Sequence, residues 1–251
     1  MIKNHIIYEP FSDWRLSLSK AEGSHIWDQS GNQLIDFTSG WNVTNLGWNH
    51  PEIRDAAIEQ LKRNAYAPMW TSDSVQEEYA RLLTQCLPKE LCAISRATGG
   101  TEANEEAIKI AKAYTGRKKI MTLGKTYHGQ SQGILSSTSS LDFPTVTPDI
   151  NEEELLQDFS SKLKDILRQE ETAAIVTEAG IVTGMGSARI APHGYLRIIR
   201  DLTAKYGALL ILDEVGTGFS RCGKLFGWEI EGVVPDIVTF AKGATNGAAV
   251  L

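Results

Sequence analysis

Past residue 50 the apolar positions change from scattered pairs to long-period stripes. Ile53, Ala57, Ile58 and Leu61 recur at the spacing of one helix face behind Pro51, a residue suited to a first helical turn. Val75, Tyr79, Leu82, Leu83 and Cys86 outline a second helix, with Ser74 as its expected cap. Short apolar runs then alternate with further helical stripes. The pattern predicts strands near 91–98, 119–123, 173–177, 208–212 and 237–241. Helices are predicted over 102–115, closed by Gly116, over 152–168 and over 195–206, with a Ser/Thr/Pro-rich loop covering roughly 136–150. Strands separated by helices imply right-handed crossovers and a mainly parallel α/β sheet. Residues 1–50 read differently, as hairpins and loops made of short aromatic-rich pieces broken by Gly23, Gly31, Gly40 and Gly47.

Composition narrows the partners more than the fold. The chain has 251 residues, a formal charge of −6 and 42% hydrophobic residues, enough for one large α/β domain and part of another. The mildly acidic balance, without a basic cluster, argues against nucleic acid or an anionic membrane as the main partner. No run approaches the ~20 apolar residues of a membrane span. Cys86, Cys92 and Cys222 are odd in number and lack paired spacing, which reads as reduced thiols in a cytoplasmic protein rather than a disulfide frame or a metal site. The last residues, Ala248-Ala249-Val250-Leu251, look like the opening of an apolar element, so a longer protein is expected.

The candidate chemistry lies where predicted strands end. Asp213 closes the apolar run Leu209–Leu212, and Lys242 follows the run Ile237–Ala241. In parallel α/β sheets such ends face the ligand crevice. A buried acid there needs a cationic partner, whereas a turn-capping aspartate does not. A desolvated lysine becomes a nucleophile, although most lysines are surface residues. Gly99-Gly100-Thr101 opens the 102–115 helix, where glycines and free N–H groups suit a phosphate. The same triplet also serves as a tight turn capped by Thr101. Tyr127-His128-Gly129 follows a strand, with Tyr127 able to lie on a heterocycle or to pack in the core, and His128 able to be a structural histidine. An acid and an amine at the two ends of one crevice suit pyridoxal phosphate, which carries an aldehyde and a basic ring nitrogen.

Together these segments resemble class III aminotransferases, pyridoxal phosphate enzymes of fold type I. The matching stretches are Ile35-Asp36-Phe37, Asn45-Leu46-Gly47, His50-Pro51, Gly100–Glu105, Tyr127-His128-Gly129, Leu209–Phe219 and Pro235–Gly243. The resemblance implies a three-layer, mainly parallel large domain over 51–251, incomplete at its C-terminus. It implies that 1–50 belongs to a small domain. Lys242 would hold the cofactor covalently and shuttle the substrate proton, and Asp213 would pair with the ring nitrogen. Val215 and Tyr127 would flank the ring, Gly100 and Thr101 would bind the phosphate, and His128 and Glu178 would line the cofactor. Trp41 would border the substrate pocket. No metal is implied. The expected reaction is transamination between an amino acid or ω-amine and a 2-oxo acid, in a homodimer. An aminomutase or decarboxylase of the same family, or a catalytically incomplete fragment, would share these residues. A plain nucleotide-binding domain fits worse, because Gly99-Gly100-Thr101 lacks the spaced glycines of the dinucleotide turn. The chain departs from the family pattern at Gly216, where a glutamine to the cofactor's phenolic oxygen is common. It departs also at Gly99, where serine is usual, at Ser220, where glycine is, and after Glu178, where a proline is common.

Overall fold

The computed structural model describes residues 16–68, 70–137, 141–183 and 188–247. The expectations for residues 1–15 and for Ala248–Leu251 lie outside them. An antiparallel meander comes first, β1 (Leu18–Glu22), β2 (His25–Asp28) and β3 (Gln33–Ile35), as the glycine-broken opening predicts. It leads to α1 (Ser39–Asn42), whose four residues all have left-handed φ. Then come α2 (Pro51–Arg63), α3 (Ser74–Gln85) and α4 (Gly100–Thr115), followed by β4 (Lys119–Thr122), α5 (Gln132–Leu135), α6 (Glu152–Leu167) and β5 (Thr172–Glu178). A small ribbon of β6 (Ile181–Val182) and β7 (Arg189–Ile190) precedes α7 (Tyr195–Tyr206), β8 (Leu209–Asp213) and β9 (Ile237–Thr239).

The main sheet has the order β4-β5-β8-β9 and is parallel throughout. Every residue of the inner strand β5 is buried, which is why its middle, Ala173–Val176, is continuously apolar rather than alternating. Alternation decides which face each side chain covers. Met121, Ile175, Leu210 and Leu212 pack with Phe159 and Leu163 of α6 and with Tyr195, Leu196 and Ile199 of α7. Ile120, Ala174, Val176 and Ile211 pack on the other side against Ala107, Ile108 and Ala111 of α4. Three layers result. Each large side chain buried this way contributes about 1.5–3 kcal/mol, so the strand ends are held by a stiff core.

The structure corrects three expectations. Residues 91–98 pair with no described strand and are not one. Only Leu91 of Leu91–Arg96 is buried, so the segment has neither a ladder nor an apolar face to hold it extended in a sheet. Asp73, not Ser74, caps α3, its carboxylate accepting the Val75 and Gln76 N–H groups. At α4 the cap position is Gly99 without any side-chain bond, so Thr101 is not a cap. Neither α2 nor α3 buries a residue, and Leu61, Val75 and Leu82 of their apolar stripes lie exposed.

Candidate active site

Parallel register brings three strand ends together. Glu178, last in β5, stands beside Asp213, last in β8, and Asp213 stands beside Thr239, last in β9. Asp213 Oδ2 accepts the Asn104 side-chain amide at 2.8 Å and faces His128 Nδ1 at 2.8 Å. A carboxylate only accepts, so Nδ1 carries the hydrogen of that bond. Oδ1 accepts the Val215 N–H at 2.9 Å. The aspartate thus caps its own turn and also anchors a buried cluster. Asn104 completes that cluster by donating to the His128 carbonyl at 2.8 Å and accepting from the Thr239 hydroxyl at 2.7 Å.

Asn104 and Thr239 join the site without having been expected there from the sequence. For Asn104 a signal existed. It is the one polar member of the α4 stripe Asn104, Ala107, Ile108 and Ala111, all buried.

The glycine-rich turn packs directly on this cluster. A Cβ on Gly100 would sit 2.9 Å from both methyls of Val215, so Val215 lies on the backbone at the head of α4. Gly129 has φ 124°, and a Cβ there would come within 2.7 Å of the Thr101 hydroxyl. Gly100, Thr101, His128, Gly129, Asp213 and Val215 therefore form one wall. Tyr127 is 42% exposed, which rules out the core-packing reading.

Lys242 begins a short helical turn after β9, partly buried, with φ 47°. A non-glycine residue there is strained, and such strain collects at functional sites. Burial holds its amine below the ordinary 10.5, against the opposing pull of Asp213 and Glu178. Burial also raises the Glu178 carboxyl to about 7, helped by the negative charge of Asp213. Glu214 is fully buried and likewise raised by burial. It accepts from Thr217 and from the Trp228 N–H, pinning the loop that follows β8.

The N-terminal part reaches the same loops. Arg221 bonds Ser39 and Asn45, and Asn45 Nδ2 donates to the Phe219 carbonyl at 2.7 Å. Trp41, 47% exposed, sits in the left-handed α1 turn between these anchors. Three buried polar atoms of these residues, His128 Nε2, Glu178 Oε1 and Arg221 Nε, have no hydrogen-bond partner in the protein. A polar ligand would satisfy them. Asp213, with spare lone pairs on Oδ1, and the desolvated Lys242 amine add a proton-holding group and a nucleophile. These residues fit an aldehyde-bearing, ring-nitrogen cofactor.

Fold and site together define a member of the class III aminotransferases. The model of that family, Aminotransferase class-III, matches residues 9–251, and the chain belongs to it. Acetylornithine aminotransferase of Methanopyrus kandleri is 36% identical over 241 residues, covering 96% of this chain and 61% of that protein. An (S)-enantioselective omega-transaminase from Thermomicrobium roseum superimposes with TM-score 0.87 at 34% identity, covering 94% of this chain and 59% of that one. Taurine:2-oxoglutarate aminotransferase from Bifidobacterium kashiwanohense, solved with PLP and glutamate, gives 0.81 at 31% identity, covering 91% and 57%. The chain thus spans about three-fifths of the length of these relatives.

Proposed function

We propose that the protein is a pyridoxal-phosphate-dependent aminotransferase that moves an amino group from an amino acid or ω-amine to a 2-oxo acid. The observation that carries this reading is the buried Asp213, fixed by Asn104 and His128 in the same electrostatic neighbourhood as the desolvated Lys242. When bound, the cofactor supplies an aldehyde that captures amines and a ring that accepts electrons. The chain supplies the rest. Asp213 holds a proton on the ring nitrogen, its own geometry fixed by two side chains and the Val215 N–H. Lys242 offers an amine that burial makes easier to deprotonate, first as the point of covalent attachment and then as the base that takes and returns the substrate's α-proton. Gly100 and Thr101, at the head of α4, receive the phosphate, where the helix dipole favours an anion. Val215 and Tyr127 flank the ring, His128 and Glu178 line it, and Trp41 borders the substrate.

The wider reading has three parts. Residues 1–50 belong to a small domain and 51–251 to the large one, a division supported by the separate antiparallel meander. The protein forms a homodimer, which the unburied apolar stripes of α2 and α3 support. It acts on small molecules in the cytoplasm, supported by three free cysteines and by the lack, among described residues, of any helix long and apolar enough to cross a membrane.

The test is to add pyridoxal phosphate to the full chain, reduce with borohydride and map the adduct by mass spectrometry. Label on Lys242, lost in Lys242→Ala, is the expected result. Label elsewhere, or none, overturns the proposal. An amine-donor screen then reads released carbonyl product against released carbon dioxide, and predominant carbon dioxide would point to a decarboxylase instead.

A further inference from the structure

Where family members commonly carry a glutamine, this chain has Gly216, and the space is taken from another direction. A Cβ on Gly216 would overlap the hydroxyl oxygen of Thr183 and lie 3.5 Å from Glu178 Oε2. Thr183 reaches that point because the chain reverses at Ala179-Gly180, with Gly180 at φ 78°, and passes through β6. From there Thr183 addresses a single oxygen of Glu178. Its N–H donates to Oε2 at 2.9 Å and its hydroxyl donates to the same atom at 3.1 Å. Oε1 is left buried and without a partner.

The two oxygens of Glu178 are therefore not equivalent. Oε2 already accepts two hydrogen bonds, which leaves it a poor seat for a proton. Oε1 accepts none. Asp213 stands next to Glu178 in register across β5 and β8, and two adjacent buried carboxylates do not both ionise readily. The proton that Glu178 retains consequently sits on Oε1, turning that atom into a donor.

Building on the cofactor assignment above, we propose that Thr183 is a positioning residue. By filling the space over Gly216 and occupying Glu178 Oε2, it makes Glu178 Oε1–H the donor to the phenolic oxygen of the bound ring. The role vacated at residue 216 passes to a carboxylic acid orientated from β6.

The experiment compares the full chain with Thr183→Val, Thr183→Ser, Glu178→Gln and Glu178→Met in two arms. The first uses no cofactor and follows the protonated-carboxyl band of Glu178 by difference infrared titration, the band being identified by its loss in Glu178→Gln. Thr183→Val removes a donor to the carboxylate, so the midpoint rises from about 7 by roughly half a unit or more, and Thr183→Ser restores it. The second arm adds pyridoxal phosphate and records the visible spectrum and its pH midpoint. Thr183→Val and Glu178→Met are expected to shift it in common, with Thr183→Ser and Glu178→Gln, whose amide still donates, close to the unsubstituted protein. An unmoved infrared midpoint in Thr183→Val overturns the positioning role. A moved infrared midpoint with spectra unchanged in Glu178→Met, which has no donor at that position, overturns the donor role. Failure of the unsubstituted chain to take up cofactor would sink the underlying assignment instead, and the infrared arm reads independently of it. If Thr183→Val does not fold, Thr183→Ser against Thr183→Ala in the infrared arm decides the same point.

Discussion

Asn104 and Asp213, 109 residues apart in sequence, meet at 2.8 Å through a single amide-to-carboxylate hydrogen bond. That bond ties the head of α4 to the end of β8, and with it the glycine-rich turn to the acid. Charge-assisted bonds of this kind are short and strong, and the group left behind when one is removed is costly to bury.

Asn104→Ala should therefore destabilise the chain by about 2–4 kcal/mol, since it leaves Asp213 one donor short and strips partners from the His128 carbonyl and the Thr239 hydroxyl. Asn104→Asp should be worse still near neutral pH, because it sets a second carboxylate against Asp213 Oδ2. Urea denaturation of the three proteins checks both statements. A loss below about 1 kcal/mol for the alanine variant would mean that the cluster does not hold these elements together.

Gly100→Ala tests the close approach of Val215 to the head of α4. The new methyl group would lie 2.9 Å from two Val215 carbons, which should cost about 1–3 kcal/mol and weaken cofactor uptake. Adding Val215→Ala should recover a good part of the lost stability. A double variant no better than Gly100→Ala alone would show that the clash lies elsewhere.

Glu178 gives a pH dependence whose sign follows from its shift. Its folded pKa is raised from 4.5 to about 7, so between those values the folded chain holds a proton that the unfolded chain releases. Stability from this group is fully present below pH 4.5 and is lost as pH rises through about 7, a difference of roughly 3 kcal/mol. Glu178→Gln cannot ionise and should escape the loss. Thermal midpoints of the cofactor-free proteins at about pH 5 and about pH 8 check this, the variant gaining on the unsubstituted protein as pH rises. Parallel behaviour of the two would refute a neutral buried acid.

Much of the framework was legible because period follows geometry. The stripe of α7 and the apolar runs of β5 and β8 each have a partner inside the described chain, and there pattern and structure agree to within a residue or two. Residues 91–98 show the converse. Their composition suits a strand, yet a strand exists only through its ladder, and no described strand pairs with them. Asp213, Lys242 and the glycine turn stood out because polar groups at the ends of apolar runs are unusual. Asn104 was visible in principle as a polar residue within an apolar stripe. The pairing of Thr183 with Gly216 was not, since a missing side chain and the hydroxyl that fills its place share no periodicity and meet only through the turn after β5.

The grip of the first fifty residues on the loop around Lys242 has a kinetic consequence. Asn246 joins Leu46 and Gly47 through bonds spanning about two hundred positions, and a Cβ on Gly243 would fall 2.5 Å from the Asn45 amide. Closing so large a circuit comes late, after nearer contacts have formed. Lys242 is accordingly among the last residues to reach its final setting, which it attains only once residues 45–47 have come back to meet the loop after β9.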